Sequence, residues 1–218
     1  MNARGFSLIE LLVTMAITIA ITSGMFSFIH SARAVFEVDL EHTDIQQRAR
    51  VATDALFRDL VMAGAGLQTP ALAPFRRGSI NPDIPGSAFR DRVSVLYVPP
   101  DAAAGPIMVT YGRRVDAAGV PHLTRYDGAA SEMPLVDQVV GLRFEYFDVD
   151  GQLIVMNRFS DGPWVPDAVS ADRFDADLRA IRRVRAFVRL RPARVFAAAP
   201  LADLEVAIDV SPRNLNLQ

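Results

Sequence analysis

An α+β fold is predicted, in which one long amino-terminal helix packs on a mainly antiparallel β-sheet. Three observations carry that prediction. From Phe6 to Ala63 the chain has no proline, and its apolar residues keep a helical rhythm. Beyond Arg92 come several short runs of β-type residues divided by turn signals, and a helix followed by runs of strands is the α+β pattern. The 50% hydrophobic content of the 218-residue chain supplies a core even after an apolar stem is set aside.

The helix divides into two halves of different character. Phe6 opens an apolar run that continues to about Ile29, and the stretch from Leu11 to Ile29 carries no charge. Its length matches the roughly 20 residues needed to span a bilayer and exceeds the roughly 7–15 of a secretory signal core. Ala32-Arg33-Ala34 imitates a signal-peptidase site but does not explain the length. A plain anchor explains the length but not Glu10, because an ionised carboxylate in hydrocarbon costs roughly 2.5–3.5 kcal/mol on insertion scales. Glu10 therefore reads as a group awaiting a partner. Thr14, Thr18, Thr22, Ser23 and Ser27 suit a helix that packs against other helices through small and hydroxyl side chains.

After Ile29 the sequence turns polar without a break. Ile45, Ala49, Ala52, Leu56, Leu60 and Ala63 recur at steps of three and four, which marks one buried helical face. Glu41, Asp44, Arg48, Arg50, Arg58 and Asp59 read as the solvated remainder. Gly64-Ala65-Gly66 is the stop signal.

The prolines at 70, 74, 82 and 85 make Gln68 to Arg92 a loop in this reading. Strands follow at Val93–Val98, Ile107–Tyr111, Val120–Tyr126, Val139–Phe147, Val184–Leu190 and Glu205–Val210. Alternation is clearest in Leu142-Arg143-Phe144-Glu145-Tyr146-Phe147, where apolar and polar residues take opposite faces. Asp148-Val149-Asp150-Gly151 is a turn signal, Gln152 to Val155 is placed to pair back as a hairpin, and the acidic stretch Ala171 to Asp177 reads as loop.

The amino-terminal residues also carry a family resemblance. Gly5-Phe6-Ser7-Leu8-Ile9-Glu10-Leu11-Leu12-Val13, behind a short basic leader, resembles the type III signal of type IV pilins and type II secretion pseudopilins. The resemblance implies a pilin-like fold and cleavage between Gly5 and Phe6 by a prepilin peptidase on the cytoplasmic side. It further implies N-methylation of Phe6, and pairing of Glu10 with the terminal amine of a neighbouring subunit. Leu135 to Tyr146, the Asp148–Gly151 turn, Leu60 to Gly64, the stretch after Arg179 and the Ser211-Pro212-Arg213-Asn214-Leu215 ending are similar, more loosely, to PilW-type minor pilins and J-type pseudopilins.

The expected organisation is a leader over residues 1–5, a membrane stem over 6–29, an amphipathic continuation over 30–67 and a periplasmic β-rich domain over 68–218. The expected role is a structural subunit in the bacterial inner membrane that passes into a filament or its tip. Its partners would be the peptidase, other pilin or pseudopilin subunits and the inner membrane. A minor pilin of a type IV pilus is preferred on the extended loop region and the Met62-Ala63-Gly64 ending. A minor pseudopilin of a type II secretion system stands second, and a membrane-tethered periplasmic binding module third.

Other chemistries find little support. A formal charge of −2 gives no case for nucleic acid, and all 23 basic residues are arginine, which has no functional reading here. Cysteine is absent, which removes disulfides, thiol nucleophiles and zinc-finger spacings. Asp148 to Gly151 begins like a calcium loop but lacks the later acidic ligands and the terminal Glu, so a turn is preferred and no metal is expected. His30, His42 and His122 have no ligand spacing, with His30 reading as an interfacial residue. Trp164 reads as a core or loop-packing side chain before a partner anchor. No nucleophile elbow, phosphate loop or dinucleotide fingerprint occurs, so neither an enzyme nor a cofactor is expected.

Overall fold

The helix begins and ends within two residues of the expected positions. In the computed structural model, α1 spans Leu8–Met62. The structure describes residues 7–67, 80–82, 92–100, 105–127, 133–154, 180–194 and 201–215. The chain forms two compact units. One comprises Met1–Thr43 with Arg194–Leu201, the other Asp44–Ala193 with Ala202–Gln218.

The second unit holds both sheets, all of whose pairings are antiparallel. Strands β1 (Ile80–Pro82), β2 (Arg92–Tyr97), β3 (Ile107–Val115), β4 (Pro121–Tyr126) and β5 (Met133–Asp137) form a five-stranded sheet in sequence order. Strands β6 (Val139–Phe147), β7 (Arg183–Leu190) and β8 (Leu204–Val210) form a three-stranded sheet, also in order. The chain passes from one sheet to the other at Gln138, whose positive φ of 57° turns the backbone between β5 and β6. A short 3-10 helix, Arg213–Leu215, follows β8.

The buried stripe of α1 is the predicted one. Ile45, Ala49, Ala52, Leu56, Leu60 and Ala63 are all buried and share one core with residues of both sheets. The alternation expected over Leu142–Phe147 holds in β6 for Leu142, Phe144 and Tyr146, which are buried with Arg143 and Glu145 more exposed, but Phe147 is buried as well. Strand β7 alternates throughout, with Val184, Ala186, Val188 and Leu190 buried.

The departures have physical causes. Ile80–Pro82 pairs with β2 although the sequence reads as loop there, and Met133–Asp137 pairs with β4 although no strand is expected. Both carry a proline and both are edge strands, the one place in a sheet where a missing N–H is tolerated. Strand β3 runs on to Val115, past Gly112. The return after Phe147 is a bridge to Leu153 with Ile154 N–H donating to Tyr146 O at 2.8 Å, while Val155 lies outside the described residues. So do Ala171–Asp177 and Trp164.

The charged residues of α1 are a larger correction. Glu41 and Asp59 are buried, not solvated. The Arg48 side chain is only 11% exposed, with Nη2 2.8 Å from Asp44 and Nη1 3.6 Å from Asp137 on β5.

The helix stops where its backbone docks on β2. Gly64 N–H donates to Leu96 O at 3.0 Å, and Val98 N–H donates to Ala65 O at 2.9 Å. Gly66 sits at φ 70°, and a Cβ there would lie 2.6 Å from Val98 Cβ. Gly66→Ala therefore combines a left-handed backbone with a clash against a β-branched side chain that has no flexible end to swing away. We expect a loss of about 2–4 kcal/mol, read as a lowered urea midpoint at unchanged slope. A midpoint equal to wild type would mean that this junction is not as tight as the geometry makes it.

Candidate functional site

The candidate site lies at the start of α1. Gly5 and Phe6, the expected cleavage pair, lie outside the described residues. Ser7 immediately precedes the helix, and its carbonyl accepts from Glu10 N–H at 3.0 Å and Leu11 N–H at 3.1 Å. Glu10 is thus in the first helical turn, where unpaired backbone N–H groups and the helix dipole favour an anion. That local attraction partly offsets the cost of a carboxylate beside apolar neighbours, without removing it. The side chain is exposed.

The residues that follow make a helix long and apolar enough to cross a membrane. Leu8, Ile9, Leu12, Phe26 and Phe28 are among its exposed large apolar side chains. The threonines find acceptors within the helix itself. Thr14 donates to Leu11 O at 2.9 Å, Thr18 to Thr14 O at 2.7 Å and Thr22 to Thr18 O at 2.6 Å. A hydroxyl satisfied by its own helix can enter hydrocarbon without stranding a donor. Glu10, Thr14, Thr18 and Thr22 recur at steps of four, so the carboxylate and the hydroxyls share one face.

Residues 1–26 match the prokaryotic N-terminal methylation motif. That motif is the mark of pilin-like proteins processed by a prepilin peptidase, and the apolar helix it opens fits a membrane-anchored protein. The match covers the amino-terminal segment only. No curated protein matches the chain.

Two of the other candidates raised by the sequence, Asp148 and His122, take part in turns. Asp148 Oδ1 accepts from Asp150 N–H at 3.0 Å and Gln152 N–H at 2.8 Å, and Gly151 supplies the positive φ of 75°. The carboxylate therefore closes a turn. His122 Nε2 lies 3.0 Å from Asp116 Oδ2. Asp116 Oδ1 accepts from Ala118 and Val120 N–H across the β3–β4 turn. These contacts hold the Asp116 carboxyl below the ordinary range, His122 first and the backbone donors next. His30 and His42 are exposed on α1. Among the described residues no group of three or more His, Asp or Glu side chains could hold a metal ion.

One polar cluster escapes sequence reasoning. Asp59 is buried, and Oδ1 accepts from Tyr97 OH at 2.9 Å. Its Oδ2 accepts from Tyr111 OH at 2.6 Å and from Arg125 Nε at 2.8 Å. One helix carboxylate thereby ties together β2, β3 and β4. Burial, then the charge and hydrogen bond of Asp59, push the Tyr97 phenol up to about 12. Tyr111 is raised further, by burial first and Asp59 next. Burial works against the Arg125 cation, but pairing with Asp59 outweighs it and raises the guanidinium above its usual value. The cluster is fully paired and contains no open nucleophile, so it serves as a fastening. A signal was present: Asp59 stands seven residues after Ala52 and fourteen after Ile45, on the buried stripe itself.

Proposed function

We propose that this chain is a structural minor pilin-like subunit of a type IV pilus, in the manner of the PilW-type minor pilins. The reading rests on one combination: a methylation motif over residues 1–26 whose acid, Glu10, stands exposed in the first turn of a membrane-length helix. A prepilin peptidase cuts between Gly5 and Phe6 at the cytoplasmic face of the inner membrane. The new α-amine of Phe6 is methylated and the stem stays in the bilayer, with the β-rich part in the periplasm. During assembly Glu10 meets the terminal amine of a neighbouring subunit, which supplies the cation that a carboxylate in hydrocarbon lacks. No catalytic residue or cofactor enters this role.

A second reading is a minor pseudopilin of a type II secretion system. It draws on the looser resemblance of β6 and its Asp148–Gly151 turn, which is similar to J-type pseudopilins as well as to PilW-type pilins. The two readings share the amino-terminal chemistry and part on the phenotype of a deletion strain, loss of surface pili against loss of secretion.

Processing is tested by mass spectrometry of the mature protein. The expected amino terminus is Phe6 carrying one added methyl group. A start near Val35, or an intact Met1, would overturn the reading.

A further inference from the structure

The two sheets end in edges of different kinds. In the five-stranded sheet, edge strand β1 ends in Pro82 and edge strand β5 contains Pro134, and proline blunts an edge by removing an N–H. In the three-stranded sheet, β6 packs closest to β2, β3 and β4 and carries an irregularity between Val139 and Gly141. The remaining edge, β8, has none of these devices. It pairs regularly with β7 from Leu204 to Val210, without proline or bulge, and has no other strand partner among the described residues.

The core beneath β8 is also incomplete. The inward residues of β7 and β6 are buried, Val188 and Leu190 completely. Of the inward residues of β8, Val210 is buried, while Leu204, Val206 and Ile208 touch the same core but stay partly exposed. An added strand would finish covering them.

The outward face says what that strand carries. β8 presents Glu205, Ala207 and Asp209 to solvent. Asp209 already accepts from Arg185 at 2.8 Å, whereas Glu205 faces Arg189 in register with no ion pair to it among the described residues. A second copy of β8 in full antiparallel overlap about Ala207 would set Glu205 against Asp209 twice, a like-charge arrangement that destabilises a pair of strands.

We propose that β8 is a strand-addition site for an extended segment of a different polypeptide, with arginine or lysine at its outward positions and β-branched apolar residues inward. Backbone hydrogen bonds to the open edge supply the binding, and the alternation supplies the choice. This does not depend on which filament, if any, the chain enters.

The test uses the full-length protein in detergent micelles and three synthetic peptides. One alternates Arg with Val, one alternates Glu with Val, and one has the basic sequence with prolines that prevent a ladder. In β8, alternate amides point to β7 and to the open edge. The open-edge amides should exchange rapidly in the free protein and slowly with the basic peptide. Two cross-strand charge positions switched from attraction to repulsion should make the basic peptide bind about ten-fold tighter than the acidic one. Glu205→Gln, which removes the charge at an exposed position without setting a second cation against Arg189, should cut that preference to about three-fold, the share of the remaining position.

Three results overturn the proposal. Open-edge amides as protected as those of β7 before any peptide is added would mean that the edge is already covered. Equal binding of the basic peptide and its proline-interrupted form, or no binding by either, would leave charge alone or nothing at all. Protection that rises with protein concentration without peptide would give the edge to a second copy.

Discussion

Asp59→Ala is expected to lower the unfolding free energy by about 2–4 kcal/mol, toward the low side of the range for removing one partner of a buried ion pair because the Arg125 side chain is 30% exposed. The size follows from what is left behind. Arg125 keeps its charge with Asp127, 3.6 Å away, left to balance it, Tyr97 loses its Asp59 acceptor, and Tyr111 is left with Ala55 O at 3.1 Å. Asp59→Asn should rescue only in part: its oxygen can still accept from Tyr111 and Arg125 and its amide can donate to the Tyr97 hydroxyl, but the charge that balances Arg125 is gone. Tyr111→Phe removes one hydrogen bond to a charged group and should cost less, about 1.5–3 kcal/mol. Urea unfolding followed by near-ultraviolet circular dichroism, which the tyrosines report, measures all three. If Asp59→Ala unfolds within about 1 kcal/mol of wild type, the cluster is not a fastening.

The same cluster sets an alkaline limit. Tyr97 is held up to about 12 in the folded chain, against a value near 10 when unfolded. The folded state therefore binds that proton more tightly. Its contribution to stability is complete below about pH 10 and disappears as the pH climbs through about 12. Tyr111 shifts in the same direction, so the two losses add. Wild type should lose more stability than Tyr97→Phe between about pH 10 and 12, and a flat wild-type profile over that range would contradict the pairing.

Why the stripe was legible and the cluster was not is a matter of locality. Ile45 to Ala63 declare a buried face because helix geometry alone decides which residues share it. β6 was legible from Val139 to Phe147 because its alternation and its Asp–Gly turn are both local. The partners of Asp59 come from three strands whose register no single stretch encodes: Val93 pairs with Tyr111, and Tyr111 with Arg125. Asp59 stands on the apolar stripe, but a charged side chain at such a position is ordinarily solvated, and only its three partners make burial favourable. Prolines obscure β1 and β5 in the same way, because the general rule against proline in strands gives way at an edge. The amino-terminal signal needed no tertiary information, since leader charge, Gly5, Phe6, Glu10 and the apolar run are consecutive.

Glu10→Ala is expected to abolish or strongly reduce incorporation into the filament while leaving membrane insertion and protein abundance near wild type. Glu10 lies in the first turn of α1 and is exposed, and it belongs to the compact unit that contains neither sheet. An exposed side chain adds nothing to core packing, and its removal takes a charge out of a helix long and apolar enough to cross a membrane, which favours insertion. On the proposed pairing, what is lost is the attraction to a neighbour's amine, about 4 kcal/mol at about 4 Å and an effective dielectric near 20 before desolvation. Even half of that is a change of about thirty-fold in an association constant. Glu10→Asp keeps the charge but shortens its reach by one methylene, so it should fall between. Glu10→Gln keeps the shape and a hydrogen-bonding end without the charge, so it separates ion pairing from packing and should fail nearly as badly as alanine. The measurement is complementation of a deletion strain, scored for surface filaments and secretion alongside the amount of membrane-bound protein and its co-purification with other subunits. Normal assembly and co-purification by Glu10→Ala at matched abundance would remove the pairing role, and failure of Glu10→Asp together with success of Glu10→Gln would replace an ion pair with a neutral contact.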